Sequence, residues 1–173
     1  NTSEEKPVVI GQLQRYATDY LFERGIQPFS RGAESGKNIA VVGAGPAGLS
    51  AAYHLVRQGI QVTIFDEMSE PGGTLFTIPD YRLPRQVVRS EIERLLDTGI
   101  TLQPNYKLGR NIHLQELQQD YAAIFLGPGV MKSREWSVDG VTPNDLHEGL
   151  HLLKRWSDVS SVPEMKSAAV IGG

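Results

Sequence analysis

The chain has no cysteine among its 173 residues, which excludes disulfides, catalytic thiols and thiolate-held iron–sulfur clusters within it. No apolar run is long enough to cross a bilayer as a helix, and the N-terminus lacks a signal-peptide pattern. Charge of one sign is scarce too. A net charge of −3 gives a polyanion nothing to bind, so nucleic acid is not an expected partner. The four histidines, His54, His113, His147 and His151, form no ligand constellation. His147 and His151 are spaced for one helix face, but no H-E-x-x-H pattern surrounds them and no metal site is assigned. No serine stands in a nucleophile elbow, and no catalytic acid or base stands out. With 40% hydrophobic and 21% charged residues the composition is nonetheless that of a globular protein. The length leaves room for one full domain and a fraction of another.

What the chain does contain is Gly43-Ala44-Gly45-Pro46-Ala47-Gly48. An apolar run, Asn38 to Val42, precedes it and a helical pattern from Leu49 to Gln58 follows. The next apolar run, Val62 to Phe65, ends at Asp66. That is a G-x-G-x-x-G fingerprint between a strand and a helix, with a carboxylate at the end of the following strand. Gly43 permits the sharp exit from the strand, and Gly45 lets backbone approach a pyrophosphate with no Cβ in the way. Gly48 allows close packing of helix on strand. Pro46 suits a first helical position, where its missing N–H costs nothing, and the helix N-terminus then faces the phosphates. Asp66, roughly 20 residues on, is placed to accept the adenosine ribose hydroxyls. Glu67 is the alternative if the strand runs one residue further.

Around the fingerprint the pattern alternates. A strand-like entry from Val9 leads into a helix over Gln12–Glu23, with Leu13, Tyr16, Ala17, Tyr20 and Leu21 on one face. Helices are expected at Arg85–Asp97, Leu114–Asp120 and Asn144–Trp156, and strands at Ile100–Pro104 and Tyr121–Leu126. The fold class is therefore α/β: a Rossmann-like FAD/NAD(P)-binding fold, mainly parallel sheet with packed helices, preceded by a short helical segment. The expected division is 1–36 for that segment, 37–130 for the dinucleotide domain, and 131–173 for a connection and a further strand. Gly127-Pro128-Gly129, at a strand's C-terminal end, sits where such sheets bind ligands. Glu91 and Arg94 read as a solvated i, i+3 pair, and Trp136 and Trp156 as packing or interface residues.

A second glycine pair follows Asp66 in Glu70-Pro71-Gly72-Gly73-Thr74-Leu75, and after it comes Ile78-Pro79-Asp80-Tyr81-Arg82-Leu83-Pro84. On these motifs the chain resembles the flavin half of the glutamate synthase small subunit and its relatives, including the flavin domain of dihydropyrimidine dehydrogenase. The resemblance runs from about Pro7 to the last residue. Pro7 to Ala17 is similar to the family's linker between its iron–sulfur and flavin domains. Ala122 to Gly129 resembles a strand whose glycine-rich end lies near the flavin, and Ala168 to Gly173 looks like the opening of a second, NADPH-binding fingerprint.

The resemblance implies FAD as the cofactor of this chain, with NADPH and iron–sulfur clusters belonging to the parent protein. Gly43, Ala44, Gly45, Pro46, Ala47, Asp66, Glu67, Gly73, Thr74, Leu75, Gly127, Pro128 and Gly129 are then the cofactor-binding candidates, with the Leu108 backbone toward the adenine. Arg82 joins them with two readings, a partner for the pyrophosphate or flavin edge and a surface arginine. The implied function is an FAD-dependent oxidoreductase that relays electrons from NADPH through FAD to iron–sulfur clusters, in the cytoplasm, alongside a nicotinamide domain and an iron–sulfur domain or subunit. The chain itself reads as an excised piece of that protein, inactive alone. Two alternatives stay open: a non-catalytic module in which FAD is structural or absent, and an NAD-only dehydrogenase, which leaves Gly72-Gly73 unexplained.

Overall fold

The computed structural model describes residues 8–130, 139–140, 146–157 and 167–171, the last four helical residues of the third span by backbone alone. Asn1 to Lys6, Trp136, the cap signal Thr142–Asn144, the Trp156 side chain and Gly172–Gly173 lie outside the described residues.

Parallel strands need buried crossovers, and the sequence supplies them as strand–helix repeats. β1 (Asn38–Val42), β2 (Gln61–Asp66), β3 (Thr101–Pro104) and β4 (Ala123–Leu126) form a parallel sheet in the order β3-β2-β1-β4. The order steps outward from β1 to β3 and then returns to β1's other side for β4. Such a reversal leaves a crevice at the C-terminal ends of β1 and β4. Register sharpens the point. Val42 lies opposite both Phe65 and Leu126, so Gly43, Asp66 and Gly127 leave the sheet at one level.

Among the described residues, five α-helices accompany the strands: α1 (Ile10–Glu23), α2 (Pro46–Arg57), α3 (Arg85–Leu96), α4 (Leu114–Asp120) and α5 (Gly149–Ser157). One face of the sheet packs on α2 and α3 through Val41, Ile64, Val62, Leu49, Val56 and Ile92. The other packs on α4 through Ala40, Val42, Phe65, Ile112 and Leu117. Two faces, each covered by helices, explain why β1 reads as an unbroken apolar run.

Several expectations need correction. The strand-like entry at Val9 is absent, because α1 begins at Ile10 with the Val9 carbonyl accepting the Gln12 and Leu13 N–H groups. No α1 residue is buried: of its expected apolar face, Leu13, Tyr16, Ala17 and Tyr20 are exposed and Leu21 is half-buried. Tyr121–Leu126 is apolar enough to read as a buried strand, but among the described residues β4 starts at Ala123, pairs with β1 at the sheet edge and leaves Leu126 52% exposed. Ala168–Ile171 carries no regular structure, since a parallel strand exists only where a neighbour completes its ladder. His147 precedes α5 rather than sharing its face with His151.

Candidate functional site

Three backbone segments meet at the crevice, and glycine is needed where they touch. Gly43 has φ +102, a conformation side chains avoid, and a Cβ there would strike the Gly127 carbonyl. A Cβ on Gly48 would run into the Gly43 carbonyl oxygen, so this glycine seats α2 on the loop. Gly127 N–H donates to the Val42 carbonyl at 2.8 Å, continuing the β1–β4 ladder into the crevice. Pro128 and Gly129 follow it outward and are exposed.

The second glycine pair docks on the first loop. Gly72 N–H donates to the Ala44 carbonyl at 2.8 Å. A Cβ on Gly73 would lie 3.0 Å from Gly45 Cα. Glu70 and Arg89 brace this turn against α3 through an ion pair of 2.5 Å. The Arg89 guanidinium holds the Glu70 carboxyl below the usual carboxylate range. Gly73–Thr77, which includes Thr74 and Leu75, forms a 3₁₀ turn that the sequence pattern did not reveal, and α5 packs near it.

Gly45 differs from its neighbours. It is the N-cap of α2, with Pro46 at the first helical position, and a Cβ built on it meets nothing within 4 Å. Ala47 and Gly48, in the first turn, have no carbonyl four residues back to bond. Open space therefore adjoins a helix N-terminus with free donors, a candidate anion cradle.

Asp66 sits beside that cradle and is held rigidly. Its Oδ2 accepts the Ala44 N–H at 2.5 Å and its Oδ1 the Met68 N–H at 2.8 Å. A carboxylate has about four lone-pair sites, so acceptor capacity remains for a diol. Glu67 turns elsewhere, pairing with Lys107 Nζ at 2.7 Å. Leu108 is half-buried in the loop after β3, against Phe65 and Ile112. That loop is tied to β2 by the Tyr106 N–H, which donates to the Asp66 carbonyl at 2.8 Å. Arg82 lies in an exposed turn, and its backbone N–H bonds Pro79.

Sequence reasoning missed two elements. Lys107 gave no signal, because a lone lysine in a loop has no spacing to betray its partner. Glu91 is half-buried in an apolar groove of about 300 Å³ that also involves Phe29, Leu49, Tyr53, Leu75 and Val88. Burial pushes its carboxyl above the usual value, with Arg15 opposing the shift and Asp19 adding to it. Arg94 is not its partner: the guanidinium lies 4.1 Å from the centre of the Phe22 ring. Among the described residues no cluster of three or more His, Cys, Asp or Glu could hold a metal, and no helix is long and apolar enough to cross a membrane.

Known proteins resemble this chain in sequence and in fold. The profile of the NAD(P)-binding Rossmann-like domain matches residues 41–102, from the end of β1 into β3. The NADP(+)-dependent formate dehydrogenase subunit beta of Moorella thermoacetica is 37% identical over 159 residues, covering 79% of this chain and 22% of that protein. The glutamate synthase (NADPH) small chain of Escherichia coli K12 is 36% identical, covering 84% of this chain and 31% of its own length. The NAD-dependent dihydropyrimidine dehydrogenase subunit PreT of the same strain is 32% identical over 98% of this chain and 41% of its own. The chain thus spans less than half the length of these curated relatives. FprA, a Mycobacterium tuberculosis oxidoreductase solved with NADPH, superposes over 60% of this chain and 25% of its own with a TM-score of 0.55. At 19% identity it shares the fold. In sequence, then, the chain is homologous to glutamate synthase small chains and PreT dihydropyrimidine dehydrogenase subunits over most of its own length, and it carries an NAD(P)-binding Rossmann-like domain.

Proposed function

We propose that this chain binds FAD in the crevice above β1 and β4, as the flavin-holding part of an NAD(P)H-dependent oxidoreductase. The observation that carries the reading is the open space at Gly45, at the N-terminus of α2, with Gly73 packed on it. A pyrophosphate would rest there against the Ala47 and Gly48 N–H groups, favoured by the helix dipole. Asp66 would accept the adenosine ribose hydroxyls, its orientation fixed by the Ala44 and Met68 N–H groups. The Leu108 backbone would border the adenine. Gly72–Gly73, Thr74 and Leu75 would line the path from pyrophosphate to ring, and Gly127–Gly129 would bound the far side.

Bound FAD supplies two-electron acceptance from a reduced nicotinamide and one-electron release to iron–sulfur clusters, the relay assigned to the parent protein. The formate dehydrogenase, glutamate synthase and dihydropyrimidine dehydrogenase names of the relatives support an oxidoreductase with nicotinamide specificity and partner domains or subunits. No side chain of this chain is assigned a proton-transfer role. Its task is to hold, orient and partly desolvate the cofactor.

The test is the visible spectrum of the purified chain, with released cofactor identified by chromatography and FAD titrated back. Yellow protein releasing FAD is the expected outcome. In that protein Asp66→Ala weakens FAD binding by about 10- to 100-fold, the effect of losing a charge-assisted hydrogen bond. A chain that stays empty with excess FAD, or an Asp66→Ala variant with native affinity, overturns the assignment.

A further inference from the structure

The adenosine end of the crevice holds two adjacent carboxylates with different tasks. Asp66 is locked by backbone donors on both oxygens. Glu67 stands in the bend just after β2, and its Oε2 meets Lys107 Nζ at 2.7 Å. Lys107 is not loosely placed. Its backbone N–H donates to Asn111 Oδ1 at 2.6 Å, Asn111 Nδ2 donates to the Asn105 carbonyl at 2.8 Å, and Tyr106 N–H fastens the loop to Asp66. The loop thus delivers an ammonium group to the end of β2, where Glu67 takes it.

An exposed pair of this kind contributes little to stability, since both side chains are about half exposed and screened. Its consequence is electrostatic. With Lys107 neutralised by Glu67, the ribose edge presents the net negative charge of Asp66. A ribose diol can donate hydrogen bonds to that carboxylate, whereas a phosphate on the 2′-oxygen would bring two negative charges against it.

We infer that the Glu67–Lys107 pair is a specificity device. Glu67 holds Lys107 off the ribose edge, so the site accepts an adenosine with a free 2′-hydroxyl and rejects one carrying a 2′-phosphate. The inference rests on the reading of this crevice as an adenosine dinucleotide site, and it separates FAD or NAD from NADP as occupants. Lys107 is the latent element: once unpaired, its ammonium becomes a phosphate partner.

Calorimetric titration with ADP-ribose and with 2′-phospho-ADP-ribose tests this, because the two ligands differ only in the 2′-phosphate. The native chain is expected to prefer ADP-ribose. Glu67→Gln should shrink that preference by about tenfold, the scale of one charge-assisted contact. Adding Lys107→Met to the same chain should restore most of it, although the double variant lacks Glu67 as well. A ratio unmoved by Glu67→Gln, an equal fall in the double variant, or a native preference for the 2′-phosphate overturns the inference while leaving the site reading intact. Failure of the native chain to bind either ligand overturns the site reading and the inference together. Thermal melts of all three chains are expected to coincide within about 2–4 °C, so that a ratio change reports recognition rather than folding.

Discussion

Three glycines in one short loop are indistinguishable as letters, yet the structure gives them opposite physical roles. Gly48 has no room for a Cβ, because the Gly43 carbonyl occupies the space. Gly45 has φ −78 and open space around it, so an alanine fits the backbone and clashes with nothing in the protein. Gly48→Ala is therefore expected to destabilise the fold by more than about 2 kcal/mol, through displacement of α2 from the loop. Gly45→Ala should leave the denaturation midpoint near native while weakening FAD binding by at least about tenfold, because its methyl enters the cradle. Denaturant melts and FAD titrations on both variants decide the matter. Equal loss of stability in the two would mean that Gly45 is also a packing glycine. The fingerprint positions already assign Gly45 to the ligand side and Gly48 to helix packing. What they do not give is the close approach of Gly73 to Gly45 and of Gly127 to Gly43, which arrive from distant sequence.

At the scale of elements, α3 shows where helical periodicity reads correctly and where it stops. Its buried face, Val88 and Ile92 with Leu95 and Leu96 beside them, is an i, i+4, i+7, i+8 stripe legible in the sequence. Glu91 looks like a solvent residue on that wheel, yet it faces the groove beside α2, with Arg15 and Asp19 of α1 within electrostatic reach. Pattern analysis treats a helix as meeting one core, whereas α3 meets the sheet, α2 and the α1 segment. The consequence is a defined pH dependence. Burial raises the folded-state pKa of Glu91, so the native chain binds this proton more tightly than the unfolded chain does. Stability from this group is thus fully present below the ordinary glutamate value of about 4.3 and is lost as pH rises through the raised value. Glu91→Gln should raise the melting temperature at pH 7, and the gain should shrink toward zero as the pH is lowered to that ordinary range. A gain independent of pH would place the effect in packing rather than ionisation. α1 was legible as a helix for the same periodic reason, but its apolar stripe said nothing about burial. Phe22 and Gln27 meet α3 through Arg94, while Arg15 and Asp19 act on Glu91 electrostatically.

At the scale of the whole molecule, the sheet ranks the elements by how completely their neighbours satisfy them. β1 is paired on both sides, and Ala40 and Val41 have no exposed surface. Among the described residues β3 and β4 each have one partner, and β4 leaves Phe125 and Leu126 open to solvent. Strand existence and a mainly parallel sheet were readable from apolar runs alternating with helices, whereas the order β3-β2-β1-β4 comes from the structure. Edge position was not readable, because Tyr121–Leu126 is as apolar as a central strand and exposure depends on what pairs beyond it. Native-state hydrogen exchange should reproduce this ranking. The β1 and β2 amides are expected to exchange slowest, near the global unfolding limit. The β4 amides not bonded to β1 should exchange faster, and α1, with no buried residue, should be first, more than about 100-fold ahead of β1. Added FAD should slow Ala44, Ala47 and Gly48 and leave α1 unchanged, since the ligand protects donors at the crevice rather than the distant helix. Protection of α1 by FAD would show that the N-terminal segment and the site form one cooperative unit, and would require the two to be coupled through α3.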